Sequence, residues 1–138
     1  MSRIRSRDTG PERLLRSCLH AMGFRYRLCD RRLPGSPDLV FPKYRAVVFI
    51  HGCFWHGHDC ELFREPKTNS AFWLAKIAAN RRRDRRATNS LLDSGWRVAT
   101  VWECSLRGKP PQEAGRVAAR LASWLRSADG ARTLEIRG

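Results

Sequence analysis

Apolar and polar positions follow two different periods along the chain, and the switches between them predict an order of elements. Asp8-Thr9-Gly10-Pro11-Glu12 reads as a helix start, with a capping side chain, a proline tolerated in the first turn and an acid near the positive end of the helix dipole. That helix is expected to run to about Met22 and to stop at Gly23. Phe24-Arg25-Tyr26-Arg27 then alternates apolar and basic residues, as a half-exposed strand does. Leu33-Pro34-Gly35-Ser36-Pro37 is a turn. Asp38-Leu39-Val40-Phe41, a turn at Pro42-Lys43-Tyr44 and Ala46-Val47-Val48-Phe49-Ile50-His51 predict a hairpin. Its second strand is apolar at successive positions and so expected to be buried on both faces.

Asn69 or Ser70 offers a cap for a long helix from about Ala71 to Asp93, which Gly95 ends. Trp96 to Trp102 reads as a strand that returns to the sheet by a crossover and lies parallel to a neighbour. Pro110-Pro111-Gln112 opens a last helix through about Ser127, with Val117, Leu121 and Leu125 spaced to face a core. From Ala128 onward the tail is expected to be frayed. The sum is one α/β domain over residues 1–127, a mixed central sheet flanked by helices, followed by a flexible tail over 128–138.

Helical periodicity also singles out two acids. Glu12 lies three and seven residues before Leu15 and Leu19, so it prolongs the apolar stripe of the first helix. Trp73, Ile77, Asn80, Asp84, Thr88 and Leu91 follow at steps of three or four, which puts Asp84 on the inward stripe of the long helix. Arg81, Arg82, Arg83, Arg85 and Arg86 fill the rest of the circumference. A carboxylate on a buried stripe is costly unless paired. Neutralising the neighbouring arginines is one use for Asp84, and facing a histidine is the other.

Charge narrows the partner. Against 13 Asp and Glu stand 27 Lys and Arg, a formal net charge of +14 and a sequence pI near 11.1. Such an excess attracts phosphates without regard to sequence, and the attraction weakens steeply with salt. Nucleic acid is therefore the expected partner. Anionic membrane is the rival, but no stretch is long and apolar enough to span a bilayer, and no signal-peptide apolar core opens the chain. A cytoplasmic protein is expected, with thiols used for metal instead of disulfides.

The segment His51 to Cys60 concentrates three of the four histidines and two of the five cysteines just after the apolar strand. Cys53, His58 and Cys60 are soft donors of the kind a tetrahedral zinc site takes. Cys104 is the best fourth ligand, because it lies just past the second apolar run. With four protein ligands such a site is closed, so the zinc is structural, and chemistry falls to His51, His56, Phe54 and Trp55. Buried packing alone is the plain alternative for these cysteines. Cys18 and Cys29 carry no assignment. Asp38, at the head of a strand that pairs with the one ending at His51, creates an oxygen-rich corner suited to magnesium and to phosphodiester hydrolysis.

Leu33-Pro34-Gly35-Ser36-Pro37-Asp38, Val48 through His56, Phe72-Trp73 with Asn80 and Arg83-Asp84, Gly95-Trp96-Arg97-Val98 and Val101-Trp102-Glu103-Cys104 together resemble the Vsr family of very short patch repair DNA mismatch endonucleases, over roughly residues 1 to 108. The resemblance implies a restriction-endonuclease-like PD-(D/E)xK fold with a structural zinc site. It implies a magnesium-dependent nick 5′ of the thymine in a T·G mismatch left by deamination of 5-methylcytosine. By the same resemblance Asp38 binds magnesium with the backbone carbonyl of Ile50, while Glu12 and His51 hold water on that ion. His56 is then the general base and Asp84 the acid that orients it. The family's zinc ligands fall on Cys53, His58, Cys60 and Cys104, and Phe54, Trp55 and Trp73 match aromatic residues inserted into the DNA stack. The second acid and the lysine of the fold's signature are absent from the strand ending at His51, so magnesium rests on Asp38. Double-stranded DNA with a T·G mismatch is the implied partner, with downstream repair proteins after it, and localisation is cytoplasmic, on the nucleoid in a bacterium. A single asymmetric lesion gives no symmetry reason for a dimer, so a monomer is expected. Two other readings stand beside this one: a related nuclease of the same fold with another DNA target, and a zinc-stapled DNA-binding module without catalysis.

Overall fold

The structure, a computed structural model, describes residues 10–53, 58, 67–127 and 130–137. In chain order they form α1 (Gly10–Ala21), β1 (Arg27–Leu28), β2 (Leu39–Phe41), β3 (Ala46–His51), α2 (Ser70–Asp93), β4 (Arg97–Trp102), α3 (Pro111–Arg126) and β5 (Thr133–Ile136), with 3-10 turns at Pro42–Tyr44 and Glu103–Ser105. The strands make one sheet in the order β1-β2-β3-β4-β5. The first three pair antiparallel, while β3 with β4 and β4 with β5 pair parallel. This is the mixed sheet flanked by helices that the pattern predicts. No helix among the described residues is long and apolar enough to cross a membrane.

Strand alternation sorts the core into two layers. On one face Leu39, Phe41, Ala46, Val48, Ile50, Ala99, Val101 and Ile136 pack with Leu15 and Leu19 of α1 and with Val117, Leu121 and Leu125 of α3. On the other, Val40, Val47, Phe49 and Val98 pack under Leu91 of α2. Each fully buried Val, Leu, Ile or Phe among them contributes roughly 1.5–3 kcal/mol through loss of apolar surface to water. Both parallel crossovers step the same way across the sheet, yet α2 and α3 cover opposite faces. The two connections therefore have opposite hands, and one departs from the usual right-handed crossover. The end of α3 is clamped from the sheet: the Arg97 guanidinium donates to the Trp124 and Leu125 carbonyls at 2.8 and 3.0 Å and lies over the Trp124 ring. It adds to the Ser127 N–H on the Trp124 carbonyl and provides a donor for the Leu125 carbonyl at the end of the helix.

Two expectations are corrected. The strand expected at Phe24–Arg27 is the shorter β1, and both its residues are exposed. Phe24 and Tyr26 do share the inward side, stacking edge-on against Phe41 at 6.1 and 5.7 Å. The ladder that would tie them to β2 cannot extend, because β2 ends at Phe41 and Pro42 has no N–H. The second correction concerns the frayed tail from Ala128. Its residues Thr133–Ile136 form β5, in register with Val98–Val101, and Ile136 is buried in the core. Burial of Ile136 and the ladder of hydrogen bonds to β4 together offset the cost of ordering so short a segment.

The loop that delivers Asp38 is pinned at both ends. The Cys29 N–H donates to the Asp38 carbonyl at 3.0 Å, and Arg32 donates to both carboxylate oxygens of Asp30, which holds that carboxyl below its ordinary range. Gly35 stands at φ +75°, where a Cβ would lie 2.8 Å from Cβ of Ala87 on α2 and 3.0 Å from the Phe49 ring. The turn thus rests directly on the helix and the central strand. Gly35→Ala is expected to combine a left-handed backbone penalty with overpacking, roughly 2–4 kcal/mol together. Thermal unfolding of the purified variant, with a midpoint lower by roughly 5–15 °C, is the measurement that checks it.

Candidate active site and metal cluster

Antiparallel pairing of β2 with β3 brings the head of one strand to the end of the other, and Asp38 is held there. Its Oδ2 accepts the backbone N–H of Ile50 at 2.6 Å, a charge-assisted bond that orients the carboxylate at the carboxyl end of β3. The next residue, His51, points to the opposite face from Ile50, toward α2. There its Nε2 lies 4.0 Å from Oδ1 of Asp84, an ion-pair distance when the imidazole is protonated. Helical periodicity placed Asp84 on an inward stripe, and the stripe is inward: Ile77, Ala87 and Leu91 are buried, and Trp73, Asn80, Asp84 and Thr88 half-buried. The histidine that Asp84 meets among the described residues is His51, the first of the histidine-rich segment. Glu12 is also buried, 6% exposed, on the α1 side of the sheet that Ile50 shares.

Parallel pairing of β3 with β4 builds the second feature. His51 is in register with Trp102, so Cys53 and Cys104 stand at the same distance beyond a matched pair. The donor atoms of Cys53, His58 and Cys104 all lie within 4.8 Å of one another, and all three residues are buried. Nδ1 of His58 faces Sγ of Cys104 at 3.6 Å. Cysteine and histidine donors of a tetrahedral ion with bonds of about 2.0–2.3 Å stand about 3.5–3.8 Å apart, a spacing the His58–Cys104 pair already has. Backbone bonds set the loop entry: His58 N–H donates to the Cys53 carbonyl at 2.9 Å, and Cys53 N–H donates to Oε1 of Glu103 at 3.2 Å. Arg107 holds the other oxygen of Glu103.

Of the residues nominated from sequence, the structure thus brings Asp38, Ile50, His51 and Asp84 to one end of β3, and Cys53, His58 and Cys104 into one cluster. Cys60, His56, Phe54 and Trp55 lie outside the described residues. Trp73 sits near the start of α2 in edge contact with Phe72, which is 59% exposed. Cys18 and Cys29 do not belong to the metal-ligating group. The sequence pattern assigns no site role to Trp102 and Glu103, although the offset from His51 to Cys53, applied to the second strand, points at them. The Trp102 ring stacks on His58, centroids 4.0 Å apart and planes at 4°, and meets His51 edge-on at 5.3 Å. A cleft of about 580 Å³ runs past His51, Asp84, His58 and Trp102, with Arg81 and Arg85 of α2 on its wall. Carboxyl ends of parallel strands are where ligands bind in open α/β sheets.

Comparison with known proteins gives concordant matches. A family profile described as DNA mismatch endonuclease Vsr matches residues 1–62. A type II nicking enzyme of Xanthomonas oryzae pv. oryzae is 48% identical over 125 residues, covering 91% of this chain and 88% of its own. The DNA mismatch endonuclease Vsr of Escherichia coli K12 is 47% identical over 125 residues, with 91% and 80% covered. A type II nicking enzyme of Neisseria meningitidis serogroup A is 50% identical over 109 residues, with 79% and 78% covered.

A metal on this cluster would tie the ends of β3 and β4 together and stabilise the folded chain by mass action, about 4 kcal/mol at a thousandfold excess over Kd. Stripping the protein with a strong chelator is expected to lower its unfolding temperature, and Cys104→Ala to remove most of that difference. Calorimetric scans with and without chelator test both.

Proposed function

The chain belongs to the Vsr family of DNA mismatch endonucleases, and from that premise we propose that it nicks duplex DNA 5′ of the thymine in a T·G mismatch by magnesium-assisted hydrolysis. The lesion is the one left when 5-methylcytosine deaminates. The observation that carries this reading is the end of β3, where successive residues fix one carboxylate through a peptide N–H and face another through an imidazole. The mixed five-stranded sheet, with Asp38 at the head of its hairpin, supports a restriction-endonuclease-like PD-(D/E)xK fold.

Asp38 and the Ile50 carbonyl are hard oxygen donors of the type magnesium takes. When bound there, magnesium supplies positive charge that offsets the charge gathering on the phosphate during attack. Glu12 and His51 hold water at this position by hydrogen bonds. His56 takes a proton from the attacking water, and Asp84 fixes the ring's tautomer and stabilises its protonated form. Among the described residues Asp84 faces His51, so its service to His56 rests on the family resemblance. Cys53, His58 and Cys104, with Cys60 as fourth ligand, suit zinc, and four protein ligands leave it a structural role. Its place next to the strand that bears His51 matters because a shift of about 1 Å at a reacting group can cost on the order of a hundredfold in rate. Phe54, Trp55 and Trp73 enter the stack beside the mismatch, where unstacking costs least. The exposed arginines of α2 and the net charge of +14 attract the phosphate backbone.

Strand-resolved cleavage of an end-labelled duplex with one T·G mismatch, beside a C·G control, tests the proposal. A nick confined to the thymine strand and lost in EDTA is expected; equal cutting of both duplexes overturns the mismatch specificity. Asp38→Ala is expected to abolish the nick while binding in a gel-shift assay stays within about threefold of wild type. Affinity for the duplex should also fall by orders of magnitude between about 50 and 200 mM salt, the mark of phosphate contacts.

A further inference from the structure

Three residues from neighbouring strands form a row on the α2 face of the sheet: His51 of β3, Trp102 of β4 and Glu135 of β5. Pairing of His51 with Trp102, and of Thr100 with Glu135, sets that row, since Thr100 and Trp102 point to the same face. The Trp102 indole N–H donates to Oε2 of Glu135 at 2.6 Å. The same indole lies flat on the His58 imidazole, and that imidazole presents Nδ1 to Cys104.

We infer that Glu135 is a positioning residue for the metal cluster: by holding the Trp102 indole it fixes the plane of His58, and so the direction in which Nδ1 meets the ion. This rests on the reading of Cys53, His58 and Cys104 as metal ligands. The physical grounds are two. An indole anchored at its nitrogen loses the freedom to swing into the cleft, so the imidazole beneath it keeps one orientation. Donation to a carboxylate also enriches the indole face in electron density, and that face attracts an imidazole drawn positive by a bound cation. Outer-shell partners that orient a ligating histidine are worth on the order of 10–100-fold in metal affinity. Glu135 is otherwise exposed, and nothing in the core depends on its side chain. It comes from the strand in the segment whose sequence reads as a tail.

The test compares wild type with Glu135→Ala, Glu135→Gln and Trp102→Phe. Zinc affinity is measured by chelator competition, and the ligand field by visible absorption after cobalt(II) substitution. Glu135→Ala is expected to weaken zinc binding about tenfold or more and to alter the cobalt spectrum. Glu135→Gln keeps an acceptor for the indole without the charge and is expected to recover most of the affinity and of the spectrum. Trp102→Phe, which keeps a ring but loses the N–H, is expected to resemble Glu135→Ala. Metal-stripped Glu135→Ala and wild type should unfold at the same temperature. A Glu135→Ala protein with wild-type affinity and spectrum overturns the inference, as does a Glu135→Gln protein no better than the alanine variant. A wild-type chain that binds neither zinc nor cobalt overturns instead the underlying reading of the cluster.

Discussion

Parallel pairing of β3 with β4 is the constraint on which the rest of the molecule depends. With His51 matched to Trp102, two loops leave the sheet side by side, and each carries a cysteine two residues later. A slip of one residue would turn His51 away from α2 and put Val101 in the place of Trp102. It would also exchange the two apolar layers of β3, which are buried at every position before His51. Register is therefore fixed by burial throughout the strand, and the chemistry at its end is positioned by packing well away from it.

That packing explains how a small protein holds acids and histidines close together. The turn at Gly35 lies against α2 and Phe49, so the segment leading to Asp38 and the helix bearing Asp84 touch the same central strand. Asp38 is then fixed through a peptide N–H that belongs to the strand itself. Side chains aimed by secondary structure lose little further entropy when substrate arrives, which is the advantage of building a site on strands and helices.

Much of this arrangement is legible in the sequence, for reasons that can be named. The steps of three and four from Trp73 to Leu91 placed Asp84 inward, and the apolar run to His51 marked the central strand. Two apolar runs, each ending before a cysteine, were enough to pair Cys53 with Cys104, because parallel neighbours end at the same edge. Other features were not legible. Thr133–Ile136 is a four-residue strand with a single fully buried side chain, too short for alternation to stand out from a polar tail. The stacking of Trp102 on His58 joins residues far apart in sequence, and neither carries a periodic signal for the other. Phe24 and Tyr26 share a side, as their alternation predicts, while the length of their strand is set by a proline in another segment.

The exposed arginines of α2 have a further consequence for the molecule by itself. Arg81, Arg82, Arg83, Arg85 and Arg86 crowd consecutive turns of one helix, with Asp84 the acid among them. Like charges at this spacing repel across water, so the folded chain carries a self-energy that a more extended chain would relieve. Mobile ions screen that repulsion over roughly a nanometre at moderate ionic strength. Salt and any polyanion drawn to this helix would thus be competing counterions: each would relax the free protein, and each would displace the other. The ionic strength that best preserves the isolated fold is consequently higher than the one that best retains its substrate.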